Sequence, residues 1–135
     1  METYADSGQI KMMFWPVINH NNPSIYSTLT AECIGQQDPA LFWDAHTTLF
    51  EHQNELWAAD RDYFVETAVF LGADQSQFES CYDSPEAMAT IMELDRQRRE
   101  EWNIYNQPTF DINGNRFFGS LPFADFEQVI ESQLR

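Results

Sequence analysis

The sequence predicts an α/β fold with a small sheet of about three strands and a long run of helices between the first strand and the last two. Three observations carry this. The run Ile10 to Val17 (IKMMFWPV) is short, apolar and bounded by Gly8 on one side and the turn-rich NHNNPS on the other, the pattern of a buried strand. From Ile25 to about Trp102, apolar residues recur at helical spacing through several segments with capping signals. Thr109 to Ile112, Asn113-Gly114 and Arg116 to Phe118 then read as two strands joined by a primed two-residue turn.

Each element follows from its own residues. Residues 1 to 8 read as the last turn of a polar helix stopped by Gly8. Ile25, Leu29, Cys33 and Ile34 mark a helix that Gly35 weakens as it approaches Gln37. Asp38 and Pro39 suit the N-cap and first position of the next, with Leu41, Phe42, Ala45, Leu49 and Phe50 on its apolar face and an end near His52. Asp60 can cap a third helix through Tyr63, Phe64, Thr67, Ala68 and Leu71, which Gly72 ends. Asp74 and Gln77 resemble a capping box for a short helix carrying Phe78 and Cys81. Ser84-Pro85 begins a longer one through Met88, Ile91, Met92 and Leu94 to about Trp102. Arg96, Arg98 and Arg99 lie in its second half, where the negative end of the helix dipole favours cations without any ligand. Finally, Pro122 to Leu134 places Phe123, Phe126, Val129, Ile130 and Leu134 on one face of a last helix.

Composition bounds the function. A chain of 135 residues, 43% hydrophobic and 15% aromatic, has material for one core and is read as one domain over 1–135. Within it lie a helical segment over about 24–103 and a C-terminal ββα unit over about 108–135. The 22 acidic residues against 7 basic ones give a formal charge of -15, which repels phosphate backbones and anionic lipid alike, so neither nucleic acid nor membrane is an expected partner. The N-terminus METYADSGQIK lacks the basic-then-apolar order of a secretory signal, and the expectation for the chain as written is cytoplasmic.

Few side chains carry chemistry. Cys33 and Cys81 lie on separate predicted helices among apolar neighbours, the setting of inert core thiols, although they can also form one bridge. Neither belongs to a Cys-x-x-C pair, and dithiol exchange needs an exposed thiolate with a resolving partner. His20, His46 and His52 lack the spacing of a ligand pair, so no metal is expected. Gly-x-Ser-x-Gly and phosphate-binding glycine loops are absent from the sequence. Acidic pairs such as Glu100-Glu101 and Asp60/Asp62 suit solvated helix faces. No catalytic residue and no cofactor are assigned.

Two stretches resemble a known family. Ala31-Glu32-Cys33, Gln37, Phe42-Trp43-Asp44-Ala45-His46 and Leu49-Phe50 are similar to the helical insertion of bacterial DsbA-like thioredoxin-fold proteins. Asn103 to Phe110, followed by Ile112-Asn113-Gly114, resembles the family's G-V-x-G-T-P-T-F-x-I-N-G stretch, and Gly119 to Pro122 with Phe126 continue it. The resemblance covers residues 5 to 134. It implies a truncated thioredoxin-like fold, a cis-proline at Pro108 and, as in some relatives, a structural disulfide between Cys33 and Cys81. It also implies oxidoreductase ancestry and relatives that often work outside the cytoplasm. Asn103, Asn106 and Gln107 depart from the family's residues at those positions. Without the cis bond, Pro108 would only end the preceding helix.

The family's first strand and its Cys-x-x-C have no counterpart in these residues, which makes a conventional thiol oxidoreductase the less expected reading. A missing central strand would remove two or three large buried side chains at about 1.5 to 3 kcal/mol each, comparable with a domain's net stability of about 5 to 15 kcal/mol. The chain must then close the sheet, borrow a strand or expose an edge. Met12, Met13, Phe14 and Trp15 would flank the gap, and such a patch usually marks an interface. The expectation is a non-catalytic module that forms a homodimer or binds a peptide or protein partner at a cleft of Phe14, Trp15, Gln107 and Pro108. The alternative is a DsbA-like oxidoreductase whose catalytic strand is missing from this chain.

Overall fold

Short polar side chains fix where most of the helices begin. The computed structural model describes residues 2–135, in the order α1 (Glu2–Asp6), α2 (Asn21–Gly35), α3 (Pro39–Glu51), a 3₁₀ turn (Glu55–Trp57), α4 (Arg61–Phe70), α5 (Gln75–Tyr82), α6 (Pro85–Glu100), β1 (Thr109–Ile112), β2 (Asn115–Phe118) and α7 (Phe123–Gln133). Asp38 accepts from Ala40 N–H at 2.8 Å, Asp60 from Tyr63 N–H at 3.1 Å and Asp74 from Gln77 N–H at 2.8 Å, each satisfying an orphan donor of the first turn. Pro39 and Pro85 occupy first positions, where no N–H is needed. The helix expected from Ile25 starts at Asn21 instead. Asn21 takes φ 49°, which Asn tolerates, and Pro23 falls in the first turn, so residues that read as a loop belong to a helix.

The residues divide into two compact units, one of residues up to Trp15 with Arg98–Arg135 and one of Pro16–Gln97. Pro16–Gln97 is all helical. Its core is built from Leu29, Thr30, Cys33 and Ile34 of α2, Ala45 and Leu49 of α3, Phe64 and Ala68 of α4, Phe78 and Tyr82 of α5 and Ile91 of α6. Tyr82 lies against Tyr26, Phe64 and Phe78, with ring centroids 5.3 to 6.1 Å apart. Thr30, the one buried polar side chain in this core, donates to the Tyr26 carbonyl at 2.7 Å. Gly35 looks like a helix weakener in the sequence, yet a Cβ there would meet Phe42 Cβ at 3.1 Å. The missing side chain lets α3 approach the end of α2. Asp95 of α6 accepts from Ile18 N–H at 2.7 Å, tying the entry segment to the helices.

The second unit holds the sheet, which corrects the expected strand count. Ile10 to Val17 is no strand: among the described residues the sheet has two strands, not about three, and Ile10 to Trp15 pairs with neither. An apolar run becomes a strand only when a neighbour supplies its ladder, and periodicity cannot show that neighbour. The hairpin itself is antiparallel, with Thr109 opposite Phe118 and Ile112 opposite Asn115. Asn113 and Gly114 turn it with φ 50° and 88°, as a primed turn requires. Phe110 and Phe117 share one face and meet Phe126 of α7, at 4.5 and 6.5 Å between centroids. On the other face Arg116 pairs with Asp111 at 3.5 Å and donates to the Trp102 carbonyl at 2.7 Å. Tyr4 of α1 donates to Glu131 at 2.7 Å and reaches Glu127 at 3.2 Å, which pushes its phenol up to about 12. No helix among the described residues is long and apolar enough to cross a membrane.

Candidate functional site

The reactive atoms of the helical unit are already joined. Cys33 of α2 and Cys81 of α5 form a disulfide with Cα atoms 5.7 Å apart. Cys33 is 1% exposed, whereas Cys81 is half-buried, and no other cysteine exists in the sequence. Two locations speak against thiolate chemistry here. A thiolate at Cys33 would be desolvated in the core, and one at Cys81 would sit in the last turn of α5, at the negative end of its dipole. Closing so long a loop stabilises the folded state by about 4 kcal/mol in the chain-entropy picture.

A second tie runs beside the bridge. Gln37 Oε1 accepts from Asp74 N–H at 2.7 Å, and its Nε2 donates to the Asp74 carbonyl at 3.2 Å. The capping box expected of Asp74 and Gln77 is therefore half right. Asp74 caps Gln77, but the return bond comes from Gln37. Arg61 adds a third tie, from the start of α4 to Asp83 at 2.6 and 2.9 Å and to Glu79 at 3.2 Å. The guanidinium holds the Asp83 carboxyl below its usual range. Neither the Gln37–Asp74 pair nor the partners of Arg61 were legible in the sequence.

Two grooves open on this unit. One, of about 620 Å³, is lined by Gln36, Ser76, Ser80, Cys81, Glu86 and Thr90 among others. The other, of about 270 Å³, is lined by Glu32, Gly35, Gln36, Pro39, Phe42 and Trp43. Gln36 borders both, and its Oε1 lies 3.8 Å from Cys81 Sγ. This is a contact rather than a hydrogen bond, because a bridged sulfur has no proton to donate. Beside the smaller groove, His46 lies among Phe42, Trp43 and Phe50 at 4.7 to 6.5 Å between centroids. Burial lowers its pKa below the ordinary histidine value. Among the described residues, no three His, Cys, Asp or Glu side chains come together as a metal site.

The cleft residues expected from the sequence belong to the other unit and line neither groove. Trp15, 38% exposed, meets Trp102 edge-on at 5.3 Å, and the Arg98 guanidinium stacks over its ring at 5.8 Å. Phe14 is half-buried. Gln107 and Pro108 are exposed ahead of β1, and the peptide bond between them is cis. The Pro108 carbonyl accepts from Gly119 N–H at 2.8 Å, which anchors that loop to the end of the hairpin.

An all-helical unit and a second unit whose hairpin follows a cis-proline accord with the comparison with known proteins. Residues 1–132 match the family model described as thioredoxin, and the chain belongs to that family. Disulfide bond formation protein D of Bacillus subtilis (strain 168) is 26% identical over 139 residues, covering 98% of this chain. The chain spans 60% of that relative's length. No solved structure matches the chain.

Proposed function

We propose that these residues form a non-catalytic thioredoxin-fold module that binds a peptide or protein partner, or a second copy of itself, through Phe14, Trp15, Gln107 and Pro108. One observation carries the reading: both sulfurs are consumed in a single bridge with Cys33 in the core, while Trp15 and the cis-proline loop stand exposed. Met12, Met13, Trp102 and Tyr105 of the same unit are also exposed, at 41 to 63%. That amount of accessible aromatic and thioether surface favours association. A second reading, a thiol–disulfide oxidoreductase whose Cys-x-x-C lies outside these residues, is favoured by the similarity to the B. subtilis disulfide bond formation protein.

Two measurements on the purified chain test the first reading. Light scattering over a dilution series is expected to give a dimer mass that Trp15→Ala shifts toward monomer. A monomer at every concentration would remove self-association. Disulfide exchange with a fluorescent dithiol substrate is expected to stay at background, equally in the chain and in its Cys33→Ser/Cys81→Ser variant. Turnover that the double substitution abolishes would overturn the non-catalytic reading and assign thiol–disulfide exchange to the Cys33–Cys81 pair itself.

A further inference from the structure

The net charge is unevenly distributed, because the basic residues are concentrated outside the helical unit. Fourteen of the 22 acidic residues lie in Pro16–Gln97, against only Arg61 and Arg96 of the seven basic residues, which leaves that unit at -12. Both of those cations are already paired with carboxylates, Arg61 with Asp83 and Glu79 and Arg96 with Glu93. The same unit carries the two grooves that meet at Gln36. Their linings differ in chemistry. The smaller presents Pro39, Phe42 and the 37%-exposed Trp43, with Glu32 beside them. The larger presents the hydroxyls of Ser76, Ser80 and Thr90, with Glu86.

We propose that the grooves form one furrow that binds an extended cationic peptide segment, a large apolar side chain seated at Phe42 and Trp43 and basic side chains facing Glu32 and Glu86. The site lies wholly within the helical unit and goes beyond the binding surface proposed above. Hydroxyl and amide groups along the larger groove suit the unpaired N–H and C=O groups of an extended backbone, which a purely apolar groove would leave unsatisfied. The field of a unit at -12 selects the sign of the partner and speeds its encounter. The aromatic end supplies what charge alone does not, a preference for one residue over its neighbours.

Fluorescence anisotropy on the full chain tests this with a labelled peptide of one terminal leucine followed by serines and three lysines. Saturable binding is expected, with no binding by the counterpart in which glutamates replace the lysines. Trp43→Ala and Glu86→Lys should each weaken affinity at least fivefold. Glu66→Lys, an exposed change on α4 outside the furrow, should leave it unchanged. Circular dichroism and melting temperature check that each variant stays folded. Equal loss in Glu66→Lys, or equal binding by a leucine-free peptide, would reduce the effect to general attraction of a polycation and overturn the proposal. So would the absence of saturable binding.

Discussion

His46 shows how one side chain couples packing to solution conditions. Its ring is half-buried among Phe42, Trp43 and Phe50, and burial lowers its pKa from the ordinary value of 6.5. The folded state thus prefers the neutral imidazole more than the unfolded chain does. Stability from this residue is present above about 6.5 and is lost as pH falls from there through the folded value. The melting temperature should fall over that interval, and His46→Phe, which keeps an aromatic ring in place, should flatten the slope. His20 and His52 are common to both proteins and cancel in the comparison. Identical slopes would mean that His46 is solvated alike in both states. Spacing showed only that His46 belongs to no metal-ligand pair; a packing role was what the family resemblance implied for its Phe-Trp-x-x-His position. The disulfide was not legible from spacing: two cysteines on separate helices permit either a bridge or two core thiols, and only family resemblance favoured the bridge.

Elements whose signals are local were readable, and those that need a distant partner were not. Asp38, Asp60 and Asp74 cap within three residues of themselves, and Asn113-Gly114 turns a hairpin whose register follows from the turn. The strand expected at Ile10 to Val17 failed because no ladder reaches it. Similarly, the bond returned to Asp74 comes from Gln37, 37 positions away, where a rule about neighbouring residues cannot see it. The grooves arise from how α2, α3, α5 and α6 pack and have no sequence signature at all. The hairpin turn gives the clearest test at this scale. Gly114 sits at φ 88°, a conformation that costs a residue with a Cβ about 1 to 2 kcal/mol. Space is not the obstacle, since nothing lies within 4 Å of the added carbon. Gly114→Ala should lower stability by about 1 kcal/mol in urea unfolding, through backbone conformation alone. An unchanged midpoint would mean that the turn relaxes without penalty.

Across the whole molecule, charge of one sign is the dominant long-range term. At a formal -15, with -12 of it in the helical unit, self-repulsion opposes folding. Raising ionic strength from about 0.01 M to about 1 M shortens the screening length from about 30 Å to about 3 Å. The melting temperature should therefore rise, by several degrees, in differential scanning calorimetry. A fall would mean that the arginine pairs outweigh the repulsion. The helical unit meets that repulsion with a covalent tie. Joining Cys33 to Cys81 closes a ring of chain that contains α3, the 3₁₀ turn, α4 and most of α5. A ring cut once is still a single piece: a protease that nicks the exposed surface between Gln53 and Ala58 separates no fragment, and both sides of the cut remain attached through sulfur.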